Sequence, residues 1–154
     1  MSEQMEVSID YATAEDYEAW LPHWQGYQEF YEVTLSDEVT QTSWDRFLSD
    51  EHDQYCIVAK IGEEIVGFAH FLFHPSTWAV GEYCYLEDLF VSPTVRGQQV
   101  GKQLIEFLTH VAEERNCARV YWHTQETNHR AQRLYDWIAE KPGMIKYLIN
   151  LPHN

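Results

Sequence analysis

The stretch of residues 83–114 constrains the fold of this chain more than any other part of the sequence. It opens with an apolar run, residues 85–91, in which two carboxylates lie among large hydrophobic side chains. After a turn at Ser92-Pro93, apolar residues recur every three or four positions, at Val100, Leu104, Leu108 and Val111. This is the spacing of one face of a helix. The sequence therefore predicts a strand, a turn and a helix in immediate succession.

The turn between this strand and this helix has the features of a phosphate-binding site. The first backbone N–H groups of a helix have no partners within the helix, and the helix dipole places partial positive charge at the same end. An anion is stabilised there, and two cationic side chains would add to the effect. We expect backbone N–H groups of this segment to bind a pyrophosphate, from Arg96, Gly97, Gln98, Gln99, Val100, Gly101 and Lys102. The alternative is a plain strand-turn-helix unit with a solvated Arg96.

Hydrophobic spacing in the rest of the chain predicts a mixed α+β domain. Further strands are expected at residues 6–11, 55–59, 65–73, 117–122 and 144–151. Three further helices are expected. The first has an aromatic face, follows a cap at Thr13 and runs from Tyr17 to Tyr31. The second follows Ser36, and the third lies at residues 128–139. The second and third strands form a hairpin that the strand at 85–91 extends. Because a helix connects that strand to the one at 117–122, those two should be parallel.

Length and charge limit the possible functions. A chain of 154 residues suits one domain, which we place at residues 1–154. The net charge of −15 opposes binding to nucleic acid, whose affinity comes mainly from phosphate neutralisation. Residues 1–53 hold fourteen acidic side chains and a single basic one, Arg46. Such an acidic surface favours a cationic small molecule or basic peptide as partner.

The sequence offers no membrane, disulfide or metal motif. No apolar run has the length of a membrane span, and the first residues do not resemble a signal peptide, so we expect a soluble, cytoplasmic protein. Cys56, Cys84 and Cys117 stand singly and are expected to be reduced thiols. The histidines lack metal-ligand spacing, so we expect no metal and interpret them as structural or surface residues, at positions 70, 74, 110, 123 and 129.

A second block of sequence completes a resemblance to a known family. Residues 120–128, Val-Tyr-Trp-His-Thr-Gln-Glu-Thr-Asn, are followed by Ala131 and Leu134-Tyr135. Together with the turn at residues 96–101, this block resembles the Gcn5-related N-acetyltransferases, whose turn reads Arg/Gln-x-x-Gly-x-Gly/Ala. Arg96 and Gly101 match the outer positions, and Gln99 stands at the middle glycine. We expect Gln99 to adopt helical geometry, in which a side chain there costs little.

The resemblance implies the fold, the cofactor and the roles of individual residues. The fold is that of the acyl-CoA N-acyltransferases, a three-layer, mostly antiparallel sheet between helices with one splayed parallel strand pair. The pantetheine of acetyl-CoA would lie along Leu89, Phe90 and Val91, with an N–H near Leu89 stabilising the oxyanion. An asparagine matching Asn128 contacts pantetheine, and a tyrosine matching Tyr135 protonates the departing thiolate. Residues beside the first helical loop flank the acceptor, here Tyr27, Glu29, Tyr31 and Glu32.

Glu87 and Asp88 are the two candidates for the general base. They are consecutive in a strand, so they should face opposite sides of the sheet unless a β-bulge intervenes. The resemblance to diamine acetyltransferases, which share the Tyr-Leu-Glu-Asp run, implies Glu87. Its apolar neighbours would raise its pKa by desolvation.

These features predict an acetyl-CoA-dependent N-acetyltransferase that acts on a primary amine by direct attack within a ternary complex. The acceptor would be a polyamine, an amino acid or a basic peptide. A homodimer is implied by relatives in which the last strand pairs with another subunit. The alternative is a non-catalytic acyl-CoA-binding regulatory module, which Gln99 favours. Acylation of charged tRNA is disfavoured by the negative charge.

Overall fold

The computed structural model describes residues 6–95 and 99–152 of the chain. They fall into two compact units, residues 1–122 and residues 123–154. The described strands of the first unit are β1 (Val7–Tyr11), β2 (Gln54–Ile61), β3 (Glu64–His74), β4 (Tyr83–Val91) and β5 (Arg119–Tyr121). They form one sheet in chain order, antiparallel throughout except for the parallel pair of β4 and β5. The predicted mixed, mostly antiparallel sheet is therefore confirmed.

Three helices accompany the sheet of the first unit within its described residues: α1 (Tyr17–Phe30), α2 (Asp37–Phe47) and α3 (Val100–Glu114). Their starts follow the capping residues in the sequence. The Asp16 carboxylate accepts from the Thr13 N–H at 2.8 Å just before α1. The Ser36 hydroxyl accepts from the Val39 N–H at 3.2 Å at the start of α2. Both contacts satisfy a donor that the helix itself leaves without a partner.

The helices lie on opposite faces of the sheet, as two consecutive residues of β3 show. A Cβ added to Gly67 would lie 3.4 Å from the Leu104 side chain of α3. The next side chain, Phe68, belongs instead to the core cluster around Trp20 and Trp24 of α1. Successive residues of a strand point to opposite faces. Helix α3 therefore covers one face, while α1 and α2 cover the other.

The core beneath α1 and α2 is built from large aromatic rings. Trp20 is completely buried, and its ring centroid lies 4.6 Å from that of Trp44 and 5.9 Å from that of Trp24. Phe47 and Phe68 contact the same ring edge-on at 6.3 and 6.4 Å. Aromatic rings at these separations and angles contribute stability beyond the area they bury. This cluster therefore anchors both helices to the sheet.

The second unit contains helix α4 (His129–Ile138). Asn128 caps it, since its side-chain oxygen accepts from the Ala131 N–H at 3.2 Å. The strand predicted at residues 144–151 is wrong, because this segment forms no strand in the structure. A strand needs a neighbouring strand to bond with, and the described part of this unit contains none. Its large apolar side chains are exposed instead: Met144, Ile145, Tyr147, Leu148, Ile149 and Leu151.

The cysteines are all free thiols, and Cys56 and Cys84 are buried. Burial is the main cause that raises the pKa of Cys84 to about 12. Within residues 6–95 and 99–152, no helix has both the length and the hydrophobicity that a membrane crossing requires. Over the same ranges, no cluster of three or more His, Cys, Asp or Glu side chains is arranged to hold a metal ion.

Candidate active site

Strand β4 has an open edge along its second half. Among the described residues, it pairs with β5 only from Tyr83 to Tyr85, although β4 continues to Val91. Its opposite edge remains paired with β3 as far as the Gly67–Val91 pair. The pairing of the two parallel strands therefore ends at Tyr85, and β4 continues beyond it. An extended ligand can lie along this edge of β4.

The backbone of β4 presents N–H groups to this open edge. The Ser92 N–H donates to the Val66 carbonyl of β3 at 2.8 Å, so Ser92 and Val66 form a hydrogen-bonded pair. Hydrogen-bonded and non-bonded pairs alternate along antiparallel strands. The N–H groups of Leu89 and Val91 therefore point away from β3, toward the open edge. A ligand with an amide backbone, such as pantetheine, would bond to these groups as another strand would.

The start of α3 follows this strand closely, as a phosphate site requires. Of the predicted pyrophosphate-binding residues, Arg96, Gly97 and Gln98 lie outside the described residues. Val100, Gly101 and Lys102 form the first turn of α3, directly after Gln99. A fifteen-residue helix that begins beside an open strand edge fits a coenzyme A whose arm runs along β4.

Gln99 does not have the helical geometry that we expected. Its φ is 59° and its ψ is 27°, which is the left-handed region, and its carbonyl accepts from the Gln103 N–H at 3.0 Å. The expectation failed because Gln99 is the N-cap, where the chain turns into the helix, rather than a residue of the helix itself. Glycine adopts this conformation without a steric penalty. The position therefore has the geometry for which the family's glycine is suited.

Replacing Gln99 with glycine should raise the free energy of unfolding by up to about 1 kcal/mol, because it removes the left-handed strain of a residue with a Cβ. Affinity for acetyl-CoA should stay the same or increase. Thermal unfolding and titration calorimetry measure the two effects. The control is Gln103→Gly within α3, which should lower the free energy of unfolding by about 1 kcal/mol. Weaker coenzyme A binding by the Gln99→Gly variant would contradict the view that Gln99 is a tolerated handicap.

A β-bulge in β4 changes the faces of the two candidate carboxylates. His70 of β3 pairs with Asp88, but the next residue of β3, Phe71, pairs with Leu86. Strand β4 therefore has one more residue than β3 at this point, Glu87. A bulge of this kind redirects side chains. Both Glu87 and Asp88 consequently line the same recess. The sequence allowed for this arrangement if a β-bulge intervened, and the bulge is present.

The recess lies on the face of the sheet that α1 and α2 cover. It has about 330 Å³ of space, counting the part that opens to solvent. Its lining is formed by Trp24, Ser43, Phe47, Gln54, His70, Phe71, Leu72, Glu87 and Asp88, of which Trp24 and Phe47 contribute aromatic side chains from α1 and α2. Aromatic walls with carboxylates suit a ligand that combines methylene groups with ammonium groups.

Asp88 is held by a contact with the buried His70. The Nδ1 of His70 lies 2.9 Å from a carboxylate oxygen of Asp88. The indole N–H of Trp20 donates to the Nε2 of His70 at 3.1 Å. The rings of Tyr27 and Tyr31 lie with their centroids 4.8 Å apart, and both side chains are close enough to Asp88 for its charge to raise their pKa values. Burial first, and then the negative charge of Asp88, raises the pKa of Tyr27 well above its ordinary value.

The four residues predicted to flank the acceptor separate into two pairs. Tyr27 and Tyr31 belong to the network around Asp88. Glu29 and Glu32 are exposed, and Glu32 follows the end of α1 in a left-handed conformation. The tyrosines lie one helical turn apart, whereas Glu29 projects from a different side of α1. The structure therefore brings the tyrosines, but not the two glutamates, to Asp88.

The Glu87 side chain is more exposed to solvent than the sequence predicted. The sequence predicted a carboxylate desolvated among apolar neighbours, but the Glu87 side chain is exposed. The bulge is the reason, because the additional residue is pushed out of the packed layer. Glu87 remains part of the recess lining and accessible to water.

Asn128 and Tyr135 belong to the second unit. Asn128 is the N-cap of α4, and its side-chain oxygen is engaged by the Ala131 N–H. Tyr135 is a partly buried residue of α4. The two positions are seven residues apart, about two helical turns, so they share one side of the helix axis.

Sequence reasoning missed His70. The histidine was interpreted as structural or surface, yet it contacts Asp88 directly and is only 4% exposed. The one available signal was a polar residue within an otherwise apolar run, residues 65–73. Its partner on β4 depended on the register of the sheet, which the sequence does not show.

These features are an open strand edge, a helix beginning beside it and a recess lined by two acids. They are those expected of an acyl-CoA-dependent transferase. The family model for the acetyltransferase (GNAT) family matches residues 9–137. The chain belongs to this family.

Two similar proteins are N-acetyltransferases of amino acids or amino-acid analogues by name. The chain is 38% identical over 137 residues to the D-amino-acid N-acetyltransferase HPA3 of Saccharomyces cerevisiae, a match that covers 88% of this chain and 85% of that protein. It is 35% identical over 89 residues to the thialysine N-epsilon-acetyltransferase of Bos taurus, covering 53% of this chain and 52% of that protein. The chain is therefore an N-acetyltransferase that uses acetyl-CoA, and the comparisons give no support to a non-catalytic module.

Solved structures show the same fold at low identity. The aminoglycoside acetyltransferase AAC(6′)-Iy, in complex with a bisubstrate analogue, superposes with a TM-score of 0.82 at 18% identity, covering 95% of this chain and 99% of that one. The ribosomal-protein-alanine N-acetyltransferase of Brucella melitensis gives 0.78 at 21% identity, with coverage of 95% and 99%. Identities this low establish the fold alone.

Proposed function

We propose that this N-acetyltransferase acts on a small cationic primary amine, such as a polyamine, a free amino acid or a basic peptide. The observation that carries the proposal is the recess in which Glu87 and Asp88 lie together against aromatic walls. Two carboxylates and the acidic residues 1–53 concentrate cations by electrostatic attraction. The names of the relatives, a D-amino-acid and a thialysine acetyltransferase, are consistent with a small amine.

Acetyl-CoA would be held by backbone groups of β4 and α3. Leu89, Phe90 and Val91 would bond to the pantetheine, and the N–H groups of residues 96–102 would bind the pyrophosphate with charge from Arg96 and Lys102. When bound, acetyl-CoA supplies an activated acetyl group and a thiol leaving group. The Leu89 N–H, which points to the open edge, would donate to the oxygen that gains negative charge.

Proton transfer is assigned to two side chains. We propose that Glu87 accepts the proton of the acceptor ammonium through a water molecule, which its exposure permits. The neutral amine then attacks the thioester directly, within a ternary complex. Tyr135 would protonate the departing sulfur, a role that rests on the family resemblance. Asn128 would contact the pantetheine on the same basis.

The acceptor proposal is tested by thiol release from acetyl-CoA with spermidine, lysine, thialysine, D-amino acids and a histone-tail peptide. We expect turnover with at least one cationic amine and a preference for it over glutamate. Turnover with glutamate above that with every cationic amine would contradict the proposal. If the protein bound coenzyme A but acetylated none of these amines, the proposal of an amine acceptor would be wrong.

A Glu87→Gln variant should lower kcat/KM for the amine by about ten- to a hundredfold, because it removes the proton acceptor while keeping the shape of the side chain. The KM for acetyl-CoA should be unchanged. Initial rates as a function of pH measure both effects. Glu63→Gln, in the turn between β2 and β3, is a matched control outside the recess and should behave as the parent protein does. Full activity of Glu87→Gln at every pH would exclude Glu87 from the mechanism.

We further propose that the chain works as a single domain and as a cytoplasmic homodimer. The exposed apolar side chains at residues 144–151 support contact with a second copy. Light scattering of the full chain measures the oligomeric state. A monomer at micromolar concentration would contradict the dimer.

A further inference from the structure

Aromatic rings along the second half of α1 form a continuous series from the recess to the surface. Trp24 lines the recess, and its ring is stacked on that of Tyr27 with the centroids 5.4 Å apart. The ring of Tyr27 lies 4.8 Å from that of Tyr31, which meets the ring of Phe30 edge-on at 5.1 Å. Trp24 is 6% exposed, whereas Phe30 is 55% exposed. The series therefore begins in the core and ends in solvent.

The middle of this series lies beside Asp88. Burial is the main cause that raises the pKa values of the Tyr27 and Tyr31 phenols, and the negative charge of Asp88 raises them further. A single charge has this effect only at short range, so both rings are close to a carboxylate that lines the recess. A cation held by Asp88 therefore lies next to these rings, with Phe30 one ring further out.

The chain that follows α1 is fastened to the helix by two hydrogen bonds of Gln28. The buried side-chain oxygen of Gln28 accepts from the Leu35 N–H at 2.8 Å. Its backbone carbonyl accepts from the Val33 N–H at 2.9 Å. These bonds hold residues 31–35 against α1, while the apolar side chains of Phe30, Val33 and Leu35 are exposed. A binding surface that is already ordered loses little conformational entropy when a ligand binds to it.

An exposed ring at the end of a series of rings is a favourable contact for one more ring. Aromatic rings prefer edge-on or offset contacts, which stabilise a complex beyond the area that they bury. We propose that Tyr31 and Phe30 form a subsite for an aromatic ring of the acceptor, so that the enzyme prefers primary amines that carry such a ring. The nitrogen lies beside Asp88, and the ring of the acceptor continues the series against Phe30. The inference rests on the proposed function and specifies its acceptor as an arylalkylamine or an aromatic amino acid.

Three amines distinguish a ring subsite from a merely apolar surface: 2-phenylethylamine, 2-cyclohexylethylamine and ethylamine. The parent protein should favour 2-phenylethylamine over ethylamine by about tenfold or more in kcat/KM, because the ring is partly removed from water. It should also favour 2-phenylethylamine over the cyclohexyl amine by about threefold or more, because only the flat ring makes aromatic contacts. An unselective apolar surface would use the cyclohexyl amine equally well or better, and either result would overturn the inference.

Phe30→Leu keeps an apolar side chain and removes the ring. Because Phe30 is exposed, the variant should fold, and it should lose most of the preference for 2-phenylethylamine through a higher KM for that amine. Phe30→Trp supplies a ring again and should restore the preference. Trp78→Leu is the matched control, since it removes an exposed ring between β3 and β4, and it should keep the preference. A Phe30→Leu variant with the preference of the parent protein would overturn the inference.

Binding of the acceptor is measured without turnover in the presence of coenzyme A, which has no acetyl group to transfer. In titration calorimetry with the full chain, 2-phenylethylamine should bind at least about tenfold more tightly than ethylamine. Phe30→Leu should lose most of this difference in affinity, and Trp78→Leu should keep it. Equal affinity of the parent protein for the two amines would overturn the inference.

The inference and the proposed function fail on different results. Turnover of amines with no preference for the ring would overturn the inference and leave the proposed function standing. Binding that depends on the ring, without turnover of any amine, would overturn the proposed function and leave the subsite standing. The absence of both would overturn both.

Discussion

A Tyr135→Phe variant is expected to lower kcat by about a hundredfold or more, with little change in the KM for acetyl-CoA. A thiolate is a poor leaving group until it is protonated or hydrogen-bonded, and a phenol with a pKa of about 10 can do either. Phenylalanine keeps the ring and its packing on α4 but removes the hydroxyl. Single-turnover rates of thiol release measure the chemical step directly.

The control for this variant is Tyr147→Phe in the same unit. Tyr147 is 87% exposed, and phenylalanine keeps its apolar ring for the proposed dimer contact, so the loss of its hydroxyl should change neither the rate nor the melting temperature. The melting temperature of Tyr135→Phe should also match that of the parent protein within a few degrees. Unchanged turnover of Tyr135→Phe would show that another group, or water, protonates the sulfur.

Replacing Trp20 with alanine is expected to lower the free energy of unfolding by about 3–5 kcal/mol. The change removes the ring around which Trp24, Trp44, Phe47 and Phe68 pack, and it leaves a cavity that these rigid rings cannot fill. It also deprives the buried His70 of a donor. A loss of this size is a large share of the 5–15 kcal/mol that stabilises a typical domain. Urea unfolding followed by circular dichroism measures it.

Trp78→Ala provides the matched comparison, because Trp78 is 78% exposed. Removal of this indole should change the free energy of unfolding by less than about 0.5 kcal/mol. If the two variants were equally stable, the aromatic cluster would not be the anchor of α1 and α2. Circular dichroism of the folded baselines establishes that both variants start from the same structure.

Local patterns predicted most of the fold. The spacing of Val100, Leu104 and Leu108 specified α3, since all three are buried on one face of it. The caps at Thr13 and Ser36 marked the starts of helical segments, because a capping side chain binds a backbone group only about three residues away. The parallel pairing of β4 and β5 followed from the helix between them.

Features that depend on two distant segments were not predictable. The bulge at Glu87 exists because of how β4 aligns with β3, and the proximity of His70 to Asp88 follows from the same register. Gln99 was assigned the wrong geometry because its conformation depends on how the chain enters α3. The mostly apolar run at residues 144–151 suited a strand, but no single segment specifies whether another lies beside it.

The open edge of β4 also has a consequence for solvent exchange of the backbone. The amides of Phe90 and Ser92 point into the sheet, where β3 shields them whether or not a ligand is present. Those of Leu89 and Val91 point outward, so deuterium should replace their protons quickly in the free protein and slowly once coenzyme A is bound. The exchange rates of Leu89 and Val91 therefore report coenzyme A binding, while those of Phe90 and Ser92 report unfolding of the sheet. The second pair is an internal reference for the first.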